Sequence, residues 1–303
     1  MTATTKEYIH PKWASDGDTY IVEGQGGKEL LLRIVHDCDP MSPREWDNVG
    51  TMVCWHRRYS LGDNHSYDEP RDFLINLCRK VSDEDIILYF KKEKPDYLKL
   101  EYDKSGREWV LYEYDSYLKN WYVAGTYAAP LNRSKQNIGL LADDIRENMQ
   151  NNDLIALASK DNAILPLYLY DHSGITISTG KFSCPWDSGQ VGWIYVSKEK
   201  VFEEKLGWIS PELRATRDPK ILNDRKNWEF PTEENWEKIA ECCLESEVQV
   251  YDDYLTGNVY GYQLFEIDEA DDYEDAIDGE EIDSCYGFYG DSILDEFRII
   301  REV

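Results

Sequence analysis

Negative charge is concentrated in the carboxyl-terminal quarter of this 303-residue chain. Residues 231–303 carry 23 acidic and 3 basic side chains, which is a net charge of −20 out of −27 for the whole chain. Within that quarter, residues 266–283 include eleven acidic residues and no basic one. A run of this kind cannot enter a core, because each carboxylate would lose its hydration there. We therefore predict that residues 266–283 form an exposed acidic loop.

The charge also restricts the partners and the location of the protein. An acidic chain repels nucleic-acid phosphates and anionic membranes, and it is attracted to basic surfaces such as DNA-binding clefts. General solubility would explain acidity but does not require the observed clustering. The chain has no apolar run of about 20 residues that could span a bilayer, and residues 1–11 do not resemble a signal peptide. We expect a cytoplasmic protein, with no membrane or direct nucleic-acid partner.

The aromatic content predicts a folded protein with a substantial core. Ten Trp and twenty-two Tyr are more than a disordered chain carries. A length of 303 residues exceeds one core of typical size, which favours two domains. Helical and strand patterns are mixed along the chain, so we predict an α+β fold with mostly antiparallel sheets and flanking helices. The predicted domains are residues 1–137 and 138–303, the second containing the acidic loop.

Local patterns predict the individual elements. Strands are predicted around a glycine turn in 18–36, across the Tyr- and Trp-rich segment 95–130, and within 163–197. Helices are predicted over 70–80, 82–90, 138–158, 197–206 and 232–245, and from residue 292 to the chain end. Residues 247–265 alternate apolar and polar side chains on either side of Thr256-Gly257-Asn258, which predicts a β-hairpin.

One group of residues could supply a nucleophile and a base. Cys184, His172, Asp171 and Asp187 lie close together in the sequence. A Cys–His pair needs the imidazole to accept the thiol proton and a carboxylate to orient the ring. Cys184 precedes a proline and does not open a helix whose dipole would lower the pKa of its thiol. The alternative is that His172 and Asp187 cap turns while Cys184 packs as a small core residue, and this alternative predicts no enzyme.

Metal and nucleotide sites are not indicated by the spacing of the relevant residues. The possible soft metal ligands are Cys54, His56, His65 and Cys285, and their pattern C-x-H-x8-H matches no common zinc spacing. The possible hard-ion ligands are Asp252, Asp253, Asp268 and Asp271, which lack the order of a calcium loop. Gly189-Gln190-Val191-Gly192 is not followed by the lysine of a phosphate-binding loop. The seven cysteines form no CxxC pair. We predict no metal and no cofactor.

An acidic protein-binding surface is the remaining candidate. Carboxylates would steer a basic partner, and neighbouring tyrosines would add contact area after docking. The expected contact residues are Tyr251, Asp252, Asp253, Tyr254, Asp268, Glu269, Asp271, Asp272, Tyr273, Glu274 and Asp275. The alternative is a disordered loop that only increases solubility.

Four strings of the second half resemble a family of proteins carried by bacteriophages and mobile elements, which includes inhibitors of the Gabija defence system. The strings are YDHSG (170–174), CPWDSGQVGWIYV (184–196), YLTGNVYGY (254–262) and DSCYGFYG (283–290). The resemblance implies a non-catalytic anti-defence protein that binds the host nuclease–helicase complex and blocks its access to DNA. It also implies several copies arranged around the target. It assigns no individual contact residue. Within these strings we expect Gly174, Gly189 and Gly192 to allow tight turns and Trp186 and Trp193 to fill the core.

Two other functions remain open from the sequence. A general DNA mimic would compete for the basic clefts of several unrelated restriction enzymes, with strong sensitivity to salt. A hydrolase would depend on Cys184 and His172. The favoured function is specific inhibition of an antiviral nuclease–helicase complex by direct binding.

Overall fold

The computed structural model describes residues 8–131, 134–214, 219–267 and 280–303, and within them the protein has an α+β fold. The pairs between the described strands are antiparallel, as predicted. The strands are β1 (Thr19–Glu23), β2 (Glu29–His36), β3 (Thr51–Cys54), β4 (Leu98–Asp103), β5 (Glu108–Asp115), β6 (Asn120–Ala128), β7 (Asn162–Asp171), β8 (Ile175–Ser178), β9 (Ser188–Ser197), β10 (Trp208–Ile209), β11 (Trp228–Glu229), β12 (Val259–Glu266), β13 (Glu281–Tyr289) and β14 (Ile299–Glu302). The helices are α1 (Pro70–Leu77), α2 (Asp83–Glu93), α3 (Lys135–Asn148), α4 (Asn151–Ala158), α5 (Lys198–Glu203), α6 (Pro211–Arg214), α7 (Pro219–Leu222) and α8 (Trp236–Thr256).

The central sheet, in the order β3-β9-β7-β8, is covered on both faces. Along β9, Trp193 and Tyr195 face the core formed with α1 to α4, whereas Ile194 and Val196 face the core formed with α8. This alternation follows the two-residue period of a strand. Burial on both faces explains why the paired strand β7 has a nearly continuous apolar sequence, which the segment 164–170 had indicated.

A five-stranded sheet joins the two ends of the chain, in the order β13-β12-β2-β1-β14. Its core face carries buried Tyr20, Leu32 and Ile34, which pack against Ile293 and Leu294 of a 3₁₀ turn near the carboxyl terminus. The central sheet also combines β3 from the first half with β7 to β9 from the second. Strand pairs therefore join residues on the two sides of the predicted domain boundary between residues 137 and 138.

Residues 70–158 form two helices, then a three-stranded meander, and then two more helices. The meander β4-β5-β6 packs against α3, where the Tyr127 hydroxyl donates a 2.6 Å hydrogen bond to Asp144. The turn at residues 103–106 is held by the Asp103 carboxylate, which accepts from the backbone amides of Ser105 and Gly106. The predicted helices over 70–80 and 82–90 and the predicted strands over 95–130 are confirmed.

The predicted hairpin over residues 247–265 is wrong in its first half, because α8 continues to Thr256 before β12 begins. The buried residues of α8 recur at helical spacing and continue the face that starts at Trp236, ending with Val248 and Tyr251. Burying one large apolar side chain stabilises the fold by roughly 1.5–3 kcal/mol, which outweighs a local preference for strand. Gly257, with a φ of 77°, ends the helix and does not form a hairpin turn.

The carboxyl terminus also differs from its prediction. Residues 290–295 form a 3₁₀ turn, and the chain ends in β14 rather than in a helix. The strand is favoured because Ile299 is buried and pairs with Val22 at the edge of the five-stranded sheet. A local sequence pattern does not contain this contact between the two ends of the chain.

Candidate functional site

Two loops meet at one end of the central sheet and bring the sequence-predicted nucleophile group together. The turn between β7 and β8 and the loop between β8 and β9 are joined by the Asp171 amide, which donates to the Asp187 carbonyl at 2.8 Å. The Ser188 hydroxyl donates to the Cys184 carbonyl at 2.5 Å and fixes the end of the second loop. We call residues 171–187 at this end the turn–loop cluster.

The Asp187 carboxylate contacts both the thiol and the imidazole of the candidate dyad. Its Oδ2 lies 3.6 Å from Cys184 Sγ and 3.4 Å from His172 Nδ1. A nucleophilic thiol needs the imidazole as its proton acceptor, with the carboxylate on the far side of the ring. Here the carboxylate, and not the imidazole, contacts the thiol. His172, Cys184 and Asp187 are close in space as well as in sequence, but their order does not suit nucleophilic catalysis.

Asp171 is engaged elsewhere, by the segment that follows β3. Its carboxylate forms an ion pair with the Arg58 guanidinium and accepts a 3.3 Å hydrogen bond from the Tyr59 hydroxyl. The His56 ring stacks on Tyr59, with 5.0 Å between the ring centroids. Partial burial and the charges of Arg58 and Arg57 lower the pKa of His56. Asp171 therefore anchors this segment to the turn–loop cluster and does not orient a catalytic imidazole.

Trp186 is the most prominent side chain of the turn–loop cluster. Its side chain is 91 % exposed. The loop that carries it is hydrogen-bonded on both sides, through Cys184 and Asp187. An exposed Trp on a braced loop loses little conformational freedom when it docks, and such residues often dominate the binding energy of protein interfaces. We had assigned Trp186 to the core, and its exposure corrects that assignment.

The soft metal-ligand candidates are only partly brought together. His65 Nε2 donates to the Cys54 carbonyl at 2.9 Å, so the contact uses the backbone of Cys54 and not its thiol. Burial raises the pKa of that thiol to about 12. Cys285 lies on β13 in another sheet. Among the residues that the structure describes, no three His, Cys, Asp or Glu side chains have an arrangement that could hold a metal ion.

Two of the expected contact residues hold α8 on the central sheet. Tyr251 is only 4 % exposed, and its hydroxyl accepts a 3.1 Å hydrogen bond from the Gly62 amide. The Asp252 carboxylate accepts 2.7 Å hydrogen bonds from the Thr176 hydroxyl and the Ile177 amide of β8. Packing within the fold therefore buries Tyr251, whereas the Asp252 carboxylate is half-buried and is engaged through its Oδ1.

Asp253 and Tyr254 lie at the carboxyl end of α8 and are half-buried. Burial, together with the charges of Asp252 and Asp291, raises the pKa of Asp253 to about 6. The Tyr254 ring stacks on that of Tyr251, with 6.2 Å between centroids. The other expected contacts lie outside the described residues: Asp268, Glu269, Asp271, Asp272, Tyr273, Glu274 and Asp275. The described end of the acidic run continues into β13, where residues 281–287 are exposed.

A row of carboxylates on α8 was not recognised in the sequence. Glu237, Glu241 and Glu245 are spaced one helical turn apart, and no ion pair neutralises them among the described residues. Partial burial, followed by repulsion from Glu237 and Glu245, raises the pKa of Glu241. Like charges four residues apart destabilise a helix, so this row opposes folding slightly. Its four-residue spacing is visible in the sequence, and the incorrect assignment of α8 concealed it.

None of the helices in the described part of the chain combines the length and apolar character that a membrane span requires. Comparisons with protein-family models, with curated proteins and with solved structures identified no match to this chain.

Proposed function

We propose that this chain is a non-catalytic anti-defence protein of viral origin that acts by binding. Its target is a bacterial antiviral nuclease–helicase complex of the Gabija type, and binding blocks the access of that complex to DNA or its cleavage of DNA. The protein acts in the cytoplasm of the host cell, with several copies on one target. The resemblance of residues 163–290 to phage-encoded Gabija inhibitors supports the identity of the target.

The observation that carries the proposal is the row of Glu237, Glu241 and Glu245, for which the described part of the chain supplies no neutralising ion pair. Partial burial and mutual repulsion already disfavour the charged form of Glu241, so the row lowers the stability of the free protein. A basic surface placed against the row would replace this repulsion with attraction. A DNA-binding surface is basic because it must neutralise phosphates, which makes a DNA-acting enzyme the natural target.

The turn–loop cluster supports binding rather than catalysis. The Asp187 carboxylate contacts the Cys184 thiol, where a Cys hydrolase needs an imidazole. The same cluster presents the exposed indole of Trp186 on a braced loop, an arrangement that favours docking. Inhibition would then combine electrostatic attraction, which speeds association, with an aromatic anchor, which slows dissociation.

The experiment is a binding titration of purified Gabija-type nuclease–helicase complex against the immobilised protein. We expect binding with a Kd that rises when the salt concentration is raised from low to several hundred millimolar, but less steeply than the Kd of a general DNA mimic. The triple variant Glu237→Gln, Glu241→Gln, Glu245→Gln should bind about tenfold more weakly. The control variant Glu93→Gln, Glu101→Gln, Glu113→Gln makes the same charge change within the helices and meander of residues 70–158. It should bind like the wild type. Absence of binding by the wild-type protein would reject the proposal.

The same titration separates a specific inhibitor from a general DNA mimic. A specific inhibitor binds the nuclease–helicase complex and leaves unrelated restriction enzymes unbound under matched conditions. Equal binding to several unrelated DNA-cleaving enzymes would identify a DNA mimic and contradict the specific target.

A further inference from the structure

The β13 strand forms a long, open edge of the five-stranded sheet. It pairs with β12 on one side and is the terminal strand in the order β13-β12-β2-β1-β14 among the described residues. The first seven of its nine residues are exposed. The opposite edge strand, β14, has only four residues, and its first residue, Ile299, is buried. A long exposed edge presents backbone N–H and C=O groups that can pair with another extended chain.

Side chains of β12 hold the carboxylates of this edge in place. The Tyr262 hydroxyl donates a 3.0 Å hydrogen bond to Asp283, and Gln263 Nε2 donates to Glu281 at 2.9 Å. The edge also exposes two large apolar side chains, Ile282 at 44 % and Tyr286 at 51 %. Fixed carboxylates and exposed apolar groups along one strand make the contacts that select for particular side chains in an added strand.

Charge decides between the possible occupants of the edge. A second copy of this chain would bring the same acidic strand, together with its own net charge of −27, against Glu280, Glu281 and Asp283. Like charges on adjacent strands destabilise pairing. A strand with Lys or Arg at alternate positions would instead place a positive charge beside these carboxylates while its backbone pairs with the edge.

We propose that an extended, Lys- or Arg-rich segment of a target protein adds to β13 as the sixth strand of this sheet. The backbone of β13 supplies the hydrogen bonds, its carboxylates select a basic segment, and Ile282 and Tyr286 supply apolar contact. This inference rests on the proposed function, because it assigns to β13 part of the contact with the target. It does not depend on the row of carboxylates on α8 or on Trp186.

The test is hydrogen–deuterium exchange of residues 281–289, measured for the protein alone, with a nine-residue peptide of alternating Lys and Val, and with purified nuclease–helicase complex. We expect both additions to slow exchange in this segment at least about tenfold, because the outward-facing amides become hydrogen-bonded. An otherwise identical peptide of alternating Glu and Val should leave exchange unchanged. Unchanged exchange with the complex bound would overturn the inference.

Matched substitutions separate backbone pairing from side-chain contact. In an antiparallel strand, adjacent amides point alternately toward each neighbour, so one of Ser284 and Cys285 directs its amide to β12 and the other outward. We expect one of Ser284→Pro and Cys285→Pro to keep its melting temperature and to weaken peptide binding at least tenfold. Ser284→Ala and Cys285→Ala retain the amides and should bind within twofold of the wild type. If both proline variants fold and bind the peptide like the wild type, backbone pairing at β13 is contradicted. If both proline variants unfold, the hydrogen–deuterium exchange result decides whether β13 pairs with the added strand.

The combined outcomes distinguish this inference from the proposed function. Binding of the complex without protection of 281–289 rejects the docking edge and leaves the proposed function standing. Protection by the Lys–Val peptide without binding of the complex rejects the proposed target and assigns the edge to another basic protein. Protection that increases with the concentration of the protein alone, together with a dimer by light scattering, identifies a second copy as the occupant and overturns the inference.

Discussion

Arg44 and Asp63 form a two-pronged ion pair inside the protein. Arg44 Nε lies 2.9 Å from Asp63 Oδ1, and Arg44 Nη2 lies 2.8 Å from Asp63 Oδ2. Arg44 Nη1 also donates to Glu247 of α8 at 3.0 Å, and the Arg44 side chain is only 5 % exposed. The two carboxylates also accept hydrogen bonds from the backbone amides of Val49, Gly50 and Met52. This network ties the segment around β3 to α8.

Removing the arginine should leave two poorly solvated carboxylates without their counter-charge. We predict that Arg44→Met lowers the free energy of unfolding by about 3–5 kcal/mol, measured by urea denaturation at neutral pH. Arg298→Met is the control, because Arg298 is 72 % exposed and meets Glu23 at 3.5 Å, and it should cost less than about 1 kcal/mol. Equal costs for the two variants would show that the buried network does not stabilise the fold.

Gly189 and Gly192 both lie on β9, and they make a matched pair for testing the space around a glycine. A Cβ at Gly192 would clash with the Val53 carbonyl oxygen of β3, whereas a Cβ at Gly189 would meet nothing within 4 Å. We predict that Gly192→Ala destabilises the protein by roughly 3 kcal/mol or more, because β3 must move away from β9. Gly189→Ala should change the melting temperature by no more than about 3 °C. Both residues lie within a strand and not in a turn, contrary to our interpretation of the sequence.

The half-buried carboxyl of Asp253 should make stability depend on pH. Because burial raises its pKa from 3.8 to about 6, the folded protein binds more protons than the unfolded chain between these values. Stability therefore falls as pH rises through this window, and the penalty is complete above it. We predict that Asp253→Asn stabilises the protein by about 1–2 kcal/mol at pH 7.5, a value reduced for partial solvent screening. The stabilisation should vanish at pH 3.5, and an equal effect at both pH values would contradict the assignment.

The candidate nucleophile should be dispensable for inhibition. We predict that Cys184→Ala and His172→Ala each retain binding to the target and inhibition of its DNA cleavage within twofold, because the proposed inhibition requires binding and no chemical step by either side chain. The measurement is an inhibition titration together with a thermal melt that confirms folding. A loss of inhibition of a hundredfold or more in a folded Cys184→Ala variant would instead support a hydrolase.

The sequence predicted those elements whose own residues determine their packing. The strands within 163–197 were correct because their apolar runs and glycine turns are local signals, and Ser82 marked the start of α2 by capping it at Asp85. The hairpin over 247–265 was wrong because Val248 and Val250 favour strand locally, while the buried face of α8 depends on the central sheet.

The candidate site was predictable only where sequence neighbours are also spatial neighbours. His172, Cys184 and Asp187, which are close in sequence, also meet in space, because the turn and loop between β7 and β9 hold them together. The Arg44–Glu247 contact spans 203 residues, and the five-stranded sheet pairs β1 with β14. Such contacts depend on the whole topology, and one sequence without homologues carries no signal for them.

The proposed inhibitor acts by occupying its DNA-cleaving target. The most direct measurement is the rate at which a purified Gabija-type nuclease–helicase complex cleaves DNA as this protein is added, at fixed enzyme and with excess DNA. We expect cleavage to stop at a fixed ratio of protein to complex, and we expect inhibitor recovered from the complex to be fully active on fresh target. Inhibition at ratios far below one copy per complex, with covalent change or degradation of the target, would contradict this expectation.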